Sequence, residues 1–408
     1  MHRSCDLVVP ARLQSLQLAS SSSGLTLATG RKLALDCAIH RILSEIAIGE
    51  SRARAAVSSH MRPTKQRVLT LKGPRQVQFS DAPLRDPGPD DVVIRSLYST
   101  LKHGTEMLGF SGKSPFLTQS FDRDLRLFAP RDTETRFYPQ PMGNMVVGEV
   151  EFAGAKVVHV APGQRVFAWA PVSDVHVLPA RSVEPLGDLT HEQALSIDPA
   201  SFALGGVIDG ALDPSECVLV TGLGAIGLFV VQYCKRRGAT TLAASSFAGR
   251  RKLVQAFGAD RVYDTGTEKD LGRSIKVDGG GVDIAIECSG KISNLRHAIR
   301  ATRQCGRVVC IGIYGSDEPA LSLGEEFLHN RLTLLASLPA FSWNNPTRGA
   351  LPKYAKDLQA AVADDFRNRR LSSDGILHPV LPFHMAEEAP KLIAEAPERV
   401  LKVMIDHT

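Results

Sequence analysis

No stretch of this 408-residue chain runs for about 18 apolar residues without interruption, so nothing in it reads as a membrane span. No run of basic residues is interleaved with aromatics, and the formal charge of +5 is small for the length, so nucleic acid is not an expected partner. No CxxC pair occurs. The seven cysteines (Cys5, Cys37, Cys217, Cys234, Cys288, Cys305 and Cys310) are odd in number and scattered. That argues against a disulfide scaffold and suits reduced thiols in the cytoplasm. Internal repeats are missing, and the one low-complexity tract is the serine run "ASSSSG".

What is present is ordinary in bulk. A hydrophobic fraction of 43% and a charged fraction of 22% match soluble proteins, and the length allows two domains with sizeable cores. The first 60 residues stand apart, with seven Lys/Arg against four Asp/Glu. No continuous apolar region follows the early charges, which argues against a signal peptide. The Arg- and Ser-rich, acid-poor composition admits a transit peptide. The preferred reading is an extension, or an over-long start, ahead of a domain that begins at Met61.

From Met61 the texture is β-rich. "QRVLTLKG", "QVQFSDAP", "DVVIRSLYST", "VVGEVEFAG", "RVFAWAPV" and "VHVLPA" read as short strands split by Gly, Pro and Asp. Such spacing predicts a small antiparallel barrel. Residues 113–140 read as a charged, Pro-containing loop. Around residue 190 strands begin to alternate with helices: "HEQALSIDPASFALGGVIDGAL" as helix, then strand, glycine turn, helix and strand in repetition to about 344. That pattern predicts a doubly wound parallel sheet. A helix near 353–369, another near 385–396 and a final strand "VLKVMID" close the chain.

"VLVTGLGAIGLFVVQ" holds Gly222, Gly224 and Gly227 as GxGxxG, after an apolar strand and at the opening of an apolar helix. The first glycine allows the tight turn, the second the approach of a pyrophosphate, the third close packing of helix on strand. The helix start, with Ala225 and Ile226, offers free N–H groups to phosphate. At the end of the next strand an acid would take the ribose hydroxyl of NAD. Here stand Ser245 and Ser246, followed by Arg250 and Arg251. Hydroxyls with guanidinium groups suit a 2′-phosphate, so NADP(H) is expected ahead of NAD(H). The alternative is that the two arginines merely solvate the next helix.

"YSTLKHGTEMLGFSG" gathers His103, Thr105 and Glu106 around Gly104. Taken alone it reads as a turn between apolar flanks.

The order of barrel, dinucleotide fold and short C-terminal return resembles the medium-chain dehydrogenase/reductase superfamily, the zinc-type alcohol dehydrogenase relatives. "GEVEFAGAKVVHVAPGQRVFA", "GLGAIGL", "FGADRVYD" and "IECSG" carry the resemblance, over about residues 61–408. It implies α/β architecture: a Rossmann doubly wound parallel sheet over 191–344, and a GroES-like β-barrel catalytic domain over 61–190 completed by 345–408. Within the superfamily, "GTE" and "GEEFLHNR" are most similar to the bacteriochlorophyllide a dehydrogenase-like branch. Through "IECSG" and the strand after it, Ser289 and Gly312 join the expected cofactor set.

The departures from the zinc pattern are as informative. His103 stands where the family has a metal-binding Cys, Asn144 and Met145 where it has His-Glu, and Asp198 at the third ligand position. The four-cysteine structural-zinc loop has no counterpart, since no cysteine lies between Cys37 and Cys217. Neither zinc is therefore expected, because an amide is a poor zinc donor. The resemblance places "HGTE" at the reacting carbonyl. Thr105 resembles the hydroxyl of the family's proton relay, His103 is the natural proton donor near neutral pH, Glu106 fixes the loop, and Asp198 completes the catalytic set. The expected reaction is hydride transfer between nicotinamide and a small-molecule carbonyl or secondary alcohol. The alternatives are a zinc-free quinone or enone reductase, or a dinucleotide-binding redox sensor without turnover. A homo-oligomer is implied by the resemblance alone.

Overall fold

The strand run after Met61 becomes two sheets, antiparallel except for one parallel pair at the edge of the larger, formed by the last two strands of the chain. In the computed structural model, which describes residues 63–132, 136–317, 319–338 and 354–408, Lys65–Gly73 pairs with Gln76–Pro83 and with Gln140–Pro141. A larger sheet takes the spatial order Val183–Pro185, Arg165–Ala168, Met145–Ala153, Asp91–Thr100, Lys402–Asp406, Leu377–Pro382. Asp91–Thr100 is its hub and also pairs with Val175–Pro179. Val92 and Ile94 of the hub are buried with Val146, Val150 and Val166 in one core cluster. The expectations for residues 1–60, and for most of the 338–350 loop, fall outside the described residues.

The C-terminal strand decides where the site lies. Lys402–Asp406 runs antiparallel to the hub, with Met404 opposite Thr100, Ile405 opposite Ser99 and Asp406 opposite Tyr98. This register sets Lys402 and Val403 beside Leu101–His103. Chain ends some 300 residues apart thus build one corner.

The second half is a six-stranded parallel sheet in the spatial order Arg261–Tyr263, Thr240–Ala244, Cys217–Thr221, Val282–Glu287, Thr302–Cys310, Thr333–Ala336. Its central strands are near-continuous apolar runs. Val218, Leu219, Val220, Ile284, Ala285 and Ile286 have no exposed surface, as expected where helices cover both faces. The helix His191–Asp209 leads into this sheet. It opens on a capping box in which the Thr190 hydroxyl accepts the Gln193 N–H and the Gln193 side chain accepts the Thr190 N–H. It packs so tightly that a Cβ on Gly206 would collide with Ile311.

Two segments differ from the sequence reading. Residues 113–140 contain a hairpin, Gln119–Asp122 against Leu127–Pro130. Its residues are largely exposed, so burial imposed no alternation by which to recognise it. The 385–396 helix shrinks to Ala389–Glu395, preceded by a 3₁₀ turn over Phe383–Glu388.

Candidate active site

The glycine turn is built tightly on one side and left open on the other. Gly222 has φ +82, and a Cβ there would lie 2.6 Å from the Ser289 nitrogen. A Cβ on Gly227 would collide with the Gly222 carbonyl oxygen, so this glycine permits the helix Ala225–Arg236 to lie on its strand. A Cβ on Gly224 would meet nothing within 4 Å. Gly224 is the N-cap of that helix and supplies no side-chain cap, so the first-turn N–H groups at Ala225 and Ile226 receive no cap side chain. These residues fit a dinucleotide phosphate.

A buried carboxylate organises the neighbouring loops. Glu287 is fully buried at the end of Val282–Glu287. It accepts the N–H of Ser289 at 2.6 Å, the Ser289 hydroxyl, the N–H of Gly290 at 3.1 Å and the Tyr314 hydroxyl at 2.8 Å. Burial pushes its pKa up. Gly312 donates its N–H to the Glu287 carbonyl at 3.1 Å, so Ser289 and Gly312 sit side by side at the carboxyl end of the sheet. Sequence reading passed over Glu287, although an acid closing the apolar run "VDIAIE" was a visible signal.

The four residues expected at a 2′-phosphate are divided. Ser245 is buried, and its hydroxyl accepts the Phe247 N–H at 3.2 Å. Ser246 is exposed. Arg251 donates to the Ser245 carbonyl at 2.9 Å and pairs with Asp264 at 2.8 Å. Arg250 leans on the C-terminal segment: its Nη2 donates to the carbonyls of Pro397 at 2.6 Å and Val400 at 2.9 Å, and the guanidinium lies 4.5 Å from the Phe247 ring. Its Nε is buried without a partner.

The "HGTE" loop meets this nucleotide end. A Cβ on Gly104 would stand 3.2 Å from Ile313 Cγ2, and Ile313 packs its backbone on Gly290, the residue after Ser289. Thr105, exposed, opens the short helix Thr105–Phe110. Glu106 accepts the N–H of Lys102 at 2.8 Å and of Gly143 at 2.6 Å, and burial pushes its pKa up to about 7.

His103 is not the donor its residue type suggested. Its Nε2 accepts the Val403 N–H at 3.1 Å. Burial first, then the charges of Lys402 and Arg250, pull its pKa down to about 3. The ring is neutral at pH 7, with its proton on Nδ1 because an amide can only donate to Nε2. Asp198, buried on the helix His191–Asp209, has Oδ1 3.4 Å from both Lys102 Nζ and Trp169 Nε1. Lys402 is buried and donates to the Leu101 carbonyl at 3.0 Å, and desolvation lowers its pKa to about 8. Neither lysine was singled out by sequence: Lys102 directly precedes "HGTE" but was passed over beside His103, and Lys402 reaches the corner only through strand register.

These groups do not fit zinc. A metal-bound histidine donates its second ring N–H to an acceptor; the ring of His103 instead faces a donor. Asp198 is already engaged by an ammonium, and Asn144 Nδ2 is a buried donor with no partner. Among the described residues no group of three His, Cys, Asp or Glu converges on a metal position.

A family model described as zinc-binding dehydrogenase matches residues 225–352. The D-guloside 3-dehydrogenase of Escherichia coli K12 is 29% identical over 328 residues, 77% of this chain and 92% of that protein. The chain is similar to enzymes of the medium-chain, alcohol-dehydrogenase-like type. Among solved structures, the 2R,3R-butanediol dehydrogenase of Bacillus subtilis superposes with a TM-score of 0.67 at 20% identity, covering 84% of this chain and all of that one. A dehydrogenase from Sinorhizobium meliloti, solved with NADP, gives 0.64 at 19%, covering 85% of this chain and all of that one. Both show the same fold: a Rossmann sheet joined to an antiparallel catalytic half.

Proposed function

We propose that this chain is a medium-chain dehydrogenase that transfers hydride between NADP(H) and a ketone or secondary alcohol without a catalytic metal, as in the branch its "GTE" resembles. Residues 61–190 and 345–408 form the catalytic half in this reading, and 191–344 the nucleotide half. One observation carries it. Gly104 of "HGTE" lies against Ile313, whose backbone packs on the Ser289–Gly290 turn, and that turn closes on Gly222. The polar loop and the phosphate-fitting turn are therefore joined through Ile313. The solved relative bound to NADP supports the dinucleotide, and the guloside dehydrogenase supports a polyhydroxylated substrate, oxidised at a secondary hydroxyl.

A bound nicotinamide would give or take the hydride. The first-turn N–H groups of Ala225 and Ile226 hold its phosphates, while Ser246 and Arg251 meet the 2′-phosphate. Thr105 hydrogen-bonds the substrate oxygen. Glu106 holds the loop through two N–H groups, which keeps Thr105 in register. Without a Lewis acid worth several kcal/mol, donors must stabilise the charge developing on oxygen. One such donor supplies roughly a hundred- to thousand-fold, which favours carbonyls activated by a neighbouring oxygen.

The test is NADPH and NADH oxidation with hydroxyacetone, 2,3-butanedione, D-fructose and an enone. Turnover of a ketone with NADPH supports the proposal. Turnover of the enone alone would assign the reductase alternative, and tight NADPH binding with no turnover the sensor.

A further inference from the structure

Hydride delivery to a ketone leaves an alkoxide that needs a proton, and the residue expected to give it, His103, is neutral and fixed by Val403. Resting on the hydride-transfer reading above, we propose that Lys102 is the proton donor to the substrate oxygen, held by Asp198 and Trp169 and backed by Lys402.

Position comes first. Lys102 directly precedes His103 and Gly104, and its backbone N–H is tied to Glu106, so its stem is fixed at the loop that meets Ile313. Its Nζ lies 3.4 Å from Asp198 Oδ1 and 4.6 Å from the Phe202 ring centroid. Asp198 and Phe202 are four residues apart on one helix face, so one helix presents both the anion and the aromatic ring to the ammonium. The side chain of Lys102 is 31% exposed and that of Asp198 11%. The ammonium is therefore anchored by Asp198 and partly open to solvent. One long ion pair occupies at most one of its three N–H donors.

The other groups in the corner are less able to act. Lys402 is buried and its ammonium donates to the Leu101 carbonyl. It acts as a fixed positive charge behind Asp198. Glu106 is engaged by two backbone N–H groups. Thr105 can pass a proton but brings none of its own.

The step balances. The carbonyl carbon accepts the hydride from reduced nicotinamide, forming C–H. The C=O π pair moves to oxygen. One Nζ–H bond of Lys102 breaks as the O–H bond forms, leaving a neutral amine that solvent water reprotonates. In the reverse direction the amine takes the hydroxyl proton.

The decisive variant is Lys102→Arg, which keeps the charge facing Asp198 but cannot release a proton. Lys102→Met removes both. Steady-state turnover of NADPH with 2,3-butanedione is compared with NADPH affinity measured by fluorescence. We expect both variants to lower kcat about a hundredfold, in the range for a lost general acid, with NADPH affinity within about twofold and KM little changed. Methylamine should restore part of the kcat of Lys102→Met and none of that of Lys102→Arg. If Lys102→Arg keeps kcat within about threefold of the parent, Lys102 serves only as a counter-charge and the inference is overturned. Should Lys102→Met fold poorly, the Arg variant alone decides. If the parent turns over no carbonyl at all, the proposed function fails first and the inference falls with it.

Discussion

The backbone N–H of Val403 reaches His103 Nε2 at 3.1 Å, across 300 residues of sequence. The bond sets the tautomer and fastens the C-terminal strand to the "HGTE" loop. His103→Ala would leave the Val403 N–H in a buried corner without an acceptor. A loss of about 1–3 kcal/mol is expected in urea unfolding. His103→Asn, whose amide oxygen can accept the same N–H, should recover at least half of it. Equal stability of the parent and the Ala variant would mean that the bond is not formed in solution.

His103, His176 and His407, the second buried and the other two half-buried, have pKa values pulled down to about 3, 4 and 4, chiefly by desolvation. Each binds a proton more weakly folded than unfolded, so its contribution is complete above pH 6.5 and is lost as pH falls below it. Glu106, raised to about 7, and Glu287, raised by burial, act the other way and partly offset the loss. His407→Asn isolates one term. It should flatten the decline in stability between pH 7.5 and 5.5 by about 1 kcal/mol. A decline as steep as the parent's would show that His407 titrates normally when folded.

The glycine turn separates folding from binding. Gly224→Ala has room for its methyl, so the protein should melt within about two degrees of the parent yet bind NADPH at least tenfold more weakly, a loss of about 1.4 kcal/mol. Gly222→Ala and Gly227→Ala meet backbone atoms and should lower stability itself by several kcal/mol, as strained backbone and overpacking do. Unchanged NADPH affinity in Gly224→Ala would remove the phosphate from this helix start.

In the proposed reading, cofactor choice rests on Ser246 together with Arg251, whose guanidinium also holds the Ser245 carbonyl and Asp264. NADPH should bind at least tenfold tighter than NADH, and Ser246→Asp should reverse the order by repelling a 2′-phosphate. Arg250→Gln should cost about 1–3 kcal/mol of stability, because two carbonyls lose their donor, while leaving the NADPH/NADH ratio within about twofold. A collapse of that ratio in Arg250→Gln would return Arg250 to the phosphate.

The parallel sheet and the barrel strands were legible because burial writes itself into composition. "VLVTG" and "VDIAIE" must be apolar on both faces, and GxGxxG must be small where backbone meets backbone. The exposed hairpin over 119–130 carried no such constraint and was read as loop. The corner around His103 was only half legible. His103, Thr105 and Glu106 are adjacent in sequence, whereas Lys402 and Val403 arrive by the register of the last strand. Residue type is an incomplete guide: an arginine after the second strand suits phosphate, yet its Nη2 also finds the Pro397 and Val400 carbonyls, and a histidine suits proton transfer, yet desolvation lowers the pKa of His103.

The central claim is hydride transfer by protein donors alone, and metal content measured together with activity tests it most directly. Protein purified without chelator, analysed for zinc and assayed with NADPH and 2,3-butanedione before and after dialysis against chelator, should hold far less than one zinc per chain and lose no activity. About one zinc per chain, removed together with activity and restored with it, would contradict the account.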